Sequence, residues 1–426
     1  MVNSKIEEYI QEICSYVKFK KAHKEIRTEF LNHIEEKTED LMKQGMNEEE
    51  ASRNALAEMG EAEAIGKLLN QSHKSAPEWS ILIITILFTL LGLTIAYLLI
   101  TTGINQNTNA FKKTSVFTIM GYVVMTGLYL FDYKKLEKHS GKIFIGVSAL
   151  LMVQLFFSVP VNGIKSWFII GPFNISITEL SLFIYVISLS KLLRNIELTN
   201  AKSYLYLTSM LLIPIMLFFQ LRVTMAAATY FVVFTMFMLK SKIKKAYTAA
   251  VIGIFTAGSF YMVISEPYRL KRLMVFLNPS SDPLGAGWLN IQIQNLLSSV
   301  GYFGNGFNFP KKTIPVVESD FVLTYIIYTF GWIAGFILII IIAAFIVRMF
   351  TASNMVKDVY GNGIIQGFML VFAMEFMWNI LMILGFAPIV SVNLPFISYG
   401  GSSLLSQMAA IGVIMSIYRC RTLSFS

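Results

Sequence analysis

Polar and apolar positions divide the chain into two parts of different character. Over residues 1–76, apolar residues recur at helical spacing among charged ones, as at Ile26, Phe30 and Ile34, which predicts short amphipathic helices. From residue 77 onward, long apolar segments alternate with mostly short polar loops. Most of these segments approach the ~20 residues that an α-helix needs to cross a bilayer. The pattern predicts an all-α polytopic membrane protein of about ten transmembrane helices, preceded by a small soluble helical domain.

Ten apolar segments are predicted to span the membrane, of which the fourth and the sixth are short. An even number of spans places both ends of the segment array on the same side of the bilayer. The predicted spans cover residues 80–101, 115–131, 143–159, 177–190, 203–220, 224–239, 247–265, 321–347, 364–386 and 402–418.

The predicted soluble domain, residues 1–76, has its own helix signals. Asn47 followed by Glu50 resembles a capping box at the start of a helix, and Ala51 and Ala55 then share one face. Gly60 suits the end of that helix. A domain this small is marginally stable alone, so we expect it to pack on itself or on a partner that the sequence does not identify.

Composition supports the membrane class. Of the 426 residues, 55% are hydrophobic and 14% charged, with a mean hydropathy of +0.60, which is far from a soluble domain of this length. Residues 1–76 carry 15 acidic and 11 basic residues, whereas the rest carries 11 acidic and 24 basic ones. The basic excess is scattered over short loops, so it argues for membrane orientation and anionic headgroups rather than for nucleic acid. Cys14 and Cys420 stand near opposite ends and predict neither a disulfide nor a metal site.

The positive-inside rule predicts the orientation. With the N-terminus in the cytoplasm, the loops and tail on that side hold 15 Lys or Arg residues, against four in the short outer loops. Lys and Arg collect on the cytoplasmic side of short loops. We therefore expect both termini in the cytoplasm and a large extracytoplasmic loop over residues 266–320, called the long loop below.

The long loop carries candidate chemistry. Arg269, Lys271 and Arg272 lie among apolar residues, and Asp282 follows in a turn rich in Pro and Gly. Basic side chains here could bind a pyrophosphate, since Arg and Lys are the usual phosphate ligands, or they could anchor the segment to lipid headgroups. Asp282 is one of few carboxylates in the predicted extracytoplasmic loops, so it is either a catalytic group or a turn aspartate.

A second loop, residues 388–403, is called the signature loop below. It has no charge, and its two Pro and two Gly residues punctuate a stretch that leads into the last predicted span. Irregular backbone at membrane depth is tolerated where it is buried in protein or lines a cavity. The loop therefore predicts either a wall of a substrate cavity or a tight helix start capped by Ser402.

Polar groups inside the predicted spans are further candidates. Glu179, Glu375 and Asn379 lie within or at the ends of spans, where ionisable residues are functional candidates by default. Glu179 stands at a span end and could equally be solvated. The sequence shows no Ser-His-Asp set, phosphate-binding Gly loop or metal-ligand cluster, so no cofactor is predicted, and whether a divalent cation assists stays open.

These segments together resemble one family. Leu394-Pro395-Phe396-Ile397-Ser398-Tyr399-Gly400-Gly401-Ser402-Ser403, preceded by Asn379 and Pro388, is similar to the signature of the SEDS proteins (the FtsW/RodA/SpoVE family). Two other stretches agree, Trp167 to Phe173 with Glu179, and Arg272 through Asn278-Pro279 to Asp282-Pro283-Leu284-Gly285-Ala286-Gly287, followed by Gln292. The resemblance covers about residues 80–420, and residues 1–76 look like the helical prefix domains found ahead of some Gram-positive permeases.

The resemblance implies a ten-helix peptidoglycan glycosyltransferase. Such a protein polymerises lipid II at the outer face of the cytoplasmic membrane, together with a class B penicillin-binding protein, in cell shape, division or sporulation. Asp282 matches the family's essential aspartate, and Arg269, Lys271 and Arg272 would bind the pyrophosphate. The other implied substrate-binding residues are Glu179, Gln292, Asn379, Pro395, Ser398, Tyr399, Gly400, Gly401 and Ser402.

Several positions depart from the family pattern. Arg222 replaces an acid, Leu182 a lysine and Glu318 a histidine, and Trp288 replaces a tyrosine. The chain therefore looks like a divergent relative of that family. Two alternatives stay open: a transporter of lipid-linked precursor, and a non-catalytic membrane scaffold for wall-synthesis partners.

Overall fold

The computed structural model describes most of the chain in two compact units. One unit comprises residues 1–78, 354–359 and 417–426, and the other comprises residues 79–353 and 360–416. The described residues are 2–72, 77–105, 109–161, 164–170, 173–194, 196–265, 267–310 and 314–421.

The first unit begins with four short helices, as the pattern of residues 1–76 predicts. Asn47 caps the third helix by accepting a hydrogen bond from the Glu50 N–H at 2.9 Å, and Gly60 ends it with φ of 90°, so the predicted start and stop signals are confirmed. Ile6, Ile10 and Ile34 form a buried cluster. The helices are α1 (Val2–Tyr16), α2 (His23–Lys43), α3 (Glu48–Met59) and α4 (Ala62–Ser72).

The second unit is built from long apolar helices. Six of the described helices, α5, α8, α10 and α16 to α18, are long and apolar enough to cross a membrane, and α11 is apolar but shorter. The helices are α5 (Trp79–Thr101), α6 (Asn109–Leu130), α7 (Lys134–Glu137), α8 (Ser140–Phe157), α9 (Ile177–Leu192), α10 (Ala201–Gln220), α11 (Thr224–Lys240), α12 (Lys245–Ile264), α13 (Pro267–Leu277), α14 (Trp288–Ser298), α15 (Val322–Phe330), α16 (Trp332–Asn354), α17 (Val359–Ile383) and α18 (Gly401–Arg419).

The helices confirm the all-α polytopic membrane class. Each predicted span coincides with one described helix except residues 321–347, which divide into α15 and α16. Gly331 breaks this segment with φ of 91°, a conformation that glycine adopts without strain. The carbonyls of Tyr328 and Thr329 accept hydrogen bonds from the N–H groups of Asn305 and Gly306 at 2.8 and 3.2 Å. The break thus fastens the long loop to the membrane helices.

A small antiparallel sheet joins α8 to α9, which the sequence did not predict. The strands are β1 (Val159–Val161), β2 (Ile164–Ile170) and β3 (Phe173–Ser176), in the order β1-β2-β3. Trp167 pairs with Ser176, and Ile170 with Phe173. Aromatic and β-branched residues of β2 favour a strand over a helix, and β3 leads directly into the first turn of α9.

Aromatic packing fixes the signature loop against the membrane helices. The Phe396 ring stacks on Phe88 of α5 with ring centroids 6.3 Å apart and contacts Phe372 of α17 at 5.3 Å. Gly92 of α5 allows the loop to come close, because a Cβ there would lie 2.7 Å from the Ile397 carbonyl oxygen. Residues 394–397 of the loop are therefore buried in protein, as irregular backbone at membrane depth requires.

Candidate active site

Asp282 lies in the long loop directly after a short 3-10 helix, Pro279–Ser281, that follows α13. Its side chain is 28% exposed, so the carboxylate is reachable from solvent. The Asp282 carbonyl accepts hydrogen bonds from the N–H groups of Gly285 and Gly287 at 3.3 and 3.1 Å. This turn holds the carboxylate between α13 and α14.

Two donors hold the Asp282 carboxylate. The Lys271 Nζ on α13 lies 3.0 Å from Oδ2, and the Ala286 N–H donates to the same oxygen at 3.4 Å. The hydrogen bond from Lys271, with that from Ala286, holds the pKa of the Asp282 carboxyl below its usual value. Asp282 is therefore a carboxylate across the neutral range.

Two glycines make room for this turn. A Cβ at Gly285 would lie 2.5 Å from the Asp282 Oδ1, which is inside contact distance. At Gly287 a Cβ would collide with the Pro279 carbonyl oxygen. Both positions must be glycine for the carboxylate to sit where it does, which gives the Gly-Ala-Gly stretch a physical reason.

A second group of polar residues surrounds Glu179 in the first turn of α9. The Ser403 hydroxyl donates to Glu179 Oε2, and the Asn393 Nδ2 lies 3.3 Å from Oε1 and 3.2 Å from the Ser403 Oγ. Glu375 of α17 is within electrostatic reach of Glu179. Glu179 is thus held by hydrogen bonds with residues 393 and 403 of the signature loop rather than left to solvent.

Asn379 connects the end of the long loop to the signature loop. It is fully buried, and its Nδ2 donates to the carbonyl oxygens of Asp320 at 2.9 Å and Val392 at 2.7 Å. Ser398 adds a second tie, since its hydroxyl donates to the Ser319 carbonyl at 2.5 Å and accepts from the Leu394 N–H at 2.8 Å. These residues shape the backbone of the site.

Asp320, at the end of the long loop, has a buried side chain and differs in this from Asp282. Burial raises the pKa of its carboxyl, opposed by hydrogen bonds with Ser391 and Ser319. Asp320 is therefore a buried carboxyl bonded to its neighbours, whereas Asp282 is a partly exposed carboxylate paired with Lys271.

The remaining predicted residues make backbone hydrogen bonds or packing contacts in the structure. The Ser402 hydroxyl accepts from the Ser176 N–H at 3.0 Å, the Tyr399 N–H donates to the Glu318 carbonyl at 2.7 Å, and Pro395 is buried. A Cβ at Gly401 would collide with the Phe117 ring. Gly400, Gly401 and Ser398 line a small cleft with Thr89, Thr114 and Phe117.

Three predicted basic residues and one amide belong to the long loop. Lys271 and Arg272 are exposed on α13, and Gln292 is half-buried on α14. The side chain of Arg269 lies outside the described residues. Among the predicted pyrophosphate ligands with described side chains, Lys271 is the one that contacts Asp282.

The predicted site residues therefore form two groups. The hydrogen bonds and the ion pair of Asp282 stay within the long loop, while those of Glu179, Asn379 and Ser398 join α9, α17 and the signature loop. Sequence reasoning missed Asn393 as a site residue, although it is a polar residue inside an uncharged apolar loop. Among the described residues, no three His, Cys, Asp or Glu side chains are placed to hold a metal ion.

Chemically, the long-loop group offers an accessible carboxylate beside an exposed ammonium. A carboxylate can accept a proton from a hydroxyl, and an ammonium can bind an anionic leaving group. The arrangement suits a group transfer in which a hydroxyl replaces an anion.

Known proteins share this architecture along most of their length. The chain is 27% identical over 416 residues to the peptidoglycan glycosyltransferase RodA of Treponema pallidum, covering 78% of this chain and 96% of that relative. It is 26% identical over 360 residues to the stage V sporulation protein E of Bacillus subtilis, covering 81% of this chain and 98% of that relative.

Solved structures have the same fold. A chain of a peptidoglycan synthase complex matches with a TM-score of 0.67 at 20% identity, covering 81% of this chain and 98% of that one. The rod shape determining protein RodA of Thermus thermophilus matches with a TM-score of 0.61 at 17% identity, covering 82% of this chain and 99% of that one. The model of the cell cycle protein family FtsW/RodA/SpoVE matches residues 78–423, and this chain therefore belongs to that family.

Proposed function

We propose that this protein is a peptidoglycan glycosyltransferase that polymerises lipid II at the outer face of the bacterial cytoplasmic membrane. The observation that carries the proposal is the Asp282 carboxylate, held in the long loop by Lys271 and the Ala286 N–H. It supplies a base beside a cation, and the relative from Treponema pallidum bears the name of this activity.

The reaction assigns one role to each group. The 4-hydroxyl of one sugar gives its proton to the Asp282 carboxylate as its oxygen forms a bond to C1 of a second sugar. The bond from that C1 to the pyrophosphate oxygen breaks, and undecaprenyl pyrophosphate leaves with both bonding electrons. Positioned general-base catalysis contributes about 10²–10⁴-fold. Lys271 and Arg272 stabilise the leaving pyrophosphate.

The Glu179 group and Asn379 act as the frame of this site. Their bonds fix the backbone of the signature loop and the end of the long loop. Fixed geometry matters because misplacing a catalytic group by about 1 Å can cost about 10²-fold in rate.

Orientation and partner complete the proposal. The distribution of 15 basic residues against four supports an orientation with the long loop outside and both termini in the cytoplasm. A class B penicillin-binding protein is the proposed partner, in line with the fold shared with a chain of a peptidoglycan synthase complex. Residues 1–76 are proposed to be a cytoplasmic prefix domain, net −4, that recruits a further partner.

The testing experiment is polymerisation of lipid II by the purified protein, alone and with co-expressed class B penicillin-binding proteins. We expect glycan ladders on gels. If no pairing produces ladders and the protein moves lipid II across the bilayer of liposomes, the result would favour a transporter. Loss of complementation on deleting residues 1–76, with complementation by an Asp282→Ala protein, would favour a scaffold. The same assays with and without a chelator test whether a divalent cation assists.

Replacing Gly285 with Ala should lower the rate of polymerisation without unfolding the protein. The added methyl would lie 2.5 Å from the Asp282 Oδ1, so the carboxylate must move. We expect kcat to fall by about 10²-fold, the cost of a misplaced catalytic group, with the melting temperature nearly unchanged because the turn is exposed. Gly301→Ala is the matched control, since this glycine also lies in the long loop and its added Cβ meets nothing within 4 Å. An unaltered kcat in Gly285→Ala would contradict the placement of Asp282.

A further inference from the structure

The ion pair between Lys271 and Asp282 presents a chemical conflict. The Lys271 Nζ lies 3.0 Å from the Asp282 Oδ2, and the Ala286 N–H donates to the same oxygen. A carboxylate that is bound to an ammonium accepts a proton less readily, because the hydrogen bond and the charge both favour its ionised form. The contact that holds Asp282 in place therefore weakens it as a base.

The pair is easily separated. The side chain of Lys271 is 65% exposed and that of Asp282 28%, and an exposed ion pair is held only weakly because water screens both charges. Lysine carries its ammonium on a flexible four-carbon stem and is a strongly hydrated point charge. A ligand with more negative charge than one carboxylate can compete for it.

Lys271 is the charged side chain that faces Asp282 from the elements packed around it. The 3-10 helix Pro279–Ser281 and α14 contain no ionisable residue. On α13, the Arg272 side chain is exposed and does not appear among the groups that shift the pKa of the Asp282 carboxyl, and the side chain of Arg269 lies outside the described residues. Among the described side chains, the hydrogen bond from Lys271 is the largest influence on the Asp282 carboxyl.

We propose that Lys271 is an exchangeable counter-ion: it holds the Asp282 carboxylate while the site is empty, and it moves to the pyrophosphate of the lipid-linked donor when the donor binds. This inference deepens the proposed function and rests on it. Donor binding would free Asp282 to accept the proton of the acceptor hydroxyl, so the base becomes active only when a leaving group is present.

The exchange has a signature in direct titration. The chain has five Asp residues, so protein labelled with ¹³Cγ-aspartate and reconstituted in nanodiscs gives a spectrum simple enough to assign, with Asp282→Asn identifying one signal. We expect the pKa of Asp282 to be low in the free protein and to rise when inorganic pyrophosphate is added. In Lys271→Gln, the pKa of Asp282 should lie near its usual value in the free protein and should rise less when pyrophosphate is added.

Kinetics supply a second readout. The acid limb of kcat/KM reports the free enzyme and that of kcat the substrate complex. In the wild type, we expect kcat to fall on acidification at a higher pH than kcat/KM does. In Lys271→Gln, the pH at which kcat/KM falls should rise, so that the difference between the two pH values becomes smaller. In Lys271→Gln, the KM for lipid II should rise about tenfold, as expected for loss of one charge-assisted hydrogen bond. Lys271→Arg should restore the wild-type difference between the two pH values. Lys43→Gln is the control: it breaks an exposed 3.0 Å ion pair with Asp40 and should leave that difference unchanged.

The titration and the kinetics together distinguish failure of the Lys271 exchange from failure of the glycosyltransferase function. A pKa of Asp282 that is unmoved by pyrophosphate, or a kcat/KM limb that is the same in wild type and Lys271→Gln, overturns the exchange. If the wild type forms no polymer under any pairing, the glycosyltransferase assignment falls, and the titration alone then decides whether Lys271 leaves Asp282 for pyrophosphate.

Discussion

Replacing Asp282 with Asn should reduce lipid II polymerisation by about 10²–10⁴-fold, the usual contribution of a positioned general base. Asparagine has nearly the same size and shape, but its amide does not take up a proton at neutral pH. Because the side chain is partly exposed and its partners are one lysine and one backbone amide, the fold should survive the change. The measurement is the initial rate of glycan formation by wild type and variant at equal protein and lipid II concentrations.

A matched control for Asp282→Asn lies in the other compact unit. Asp40 forms an exposed ion pair with Lys43 whose N–O distance is also 3.0 Å, so Asp40→Asn removes an equivalent charge and contact. We expect Asp40→Asn to polymerise at the wild-type rate. If Asp282→Asn does so as well, Asp282 is a turn residue and the proposed mechanism fails.

The membrane helices could be predicted from sequence because hydropathy acts on whole segments. Predicted spans such as 80–101 and 203–220 agree with Trp79–Thr101 and Ala201–Gln220 to within two residues. The break at Gly331 was missed, because a single glycine inside an apolar run has the same hydropathy in a continuous helix as in a broken one. Its cause is the approach of Asn305 and Gly306, which are distant in sequence.

The sheet between α8 and α9 was missed for a related reason. The predicted spans leave residues 160–176 as a loop, and the aromatic and β-branched run of β2 was noted only as part of a family motif. The sequence pair Asn162-Gly163 is a strong hairpin signal and could have revealed it. Local turn chemistry was informative here, and the search for long apolar segments passed over it.

The candidate site was predictable in its residues and not in its contacts. Asp282, Lys271 and Glu179 stand out as polar groups in or near apolar sequence. The pairing of Lys271 with Asp282 depends on the turn after α13, and the ring of Glu179, Asn393 and Ser403 joins positions more than 200 residues apart. Contacts of this kind arise from tertiary packing, which a single sequence does not encode in any local pattern.

Replacing Asn379 with Leu should cause the largest loss of stability at the site. The side chain is fully buried and donates to two backbone carbonyls, those of Asp320 and Val392. Leucine is similar in size but donates nothing, and a buried acceptor that loses its donor costs about 1–3 kcal/mol. With two carbonyls affected, the free energy of unfolding should fall by about 2–6 kcal/mol.

Two measurements test this: the free energy of unfolding of the purified protein in detergent, and amide hydrogen exchange in the folded protein. Because Asn379 ties the end of the long loop to the signature loop, exchange should rise at residues 316–321 and 390–398 rather than uniformly. Asn305→Leu is the matched control: it removes one bond from an exposed amide to the Ser299 carbonyl at 3.3 Å, and exposed substitutions usually change stability by less than about 0.5 kcal/mol. Equal stability of the two variants would contradict the role assigned to Asn379. A destabilised Asn379→Leu that polymerises normally would show that the tie between the two loops serves the fold and not the reaction.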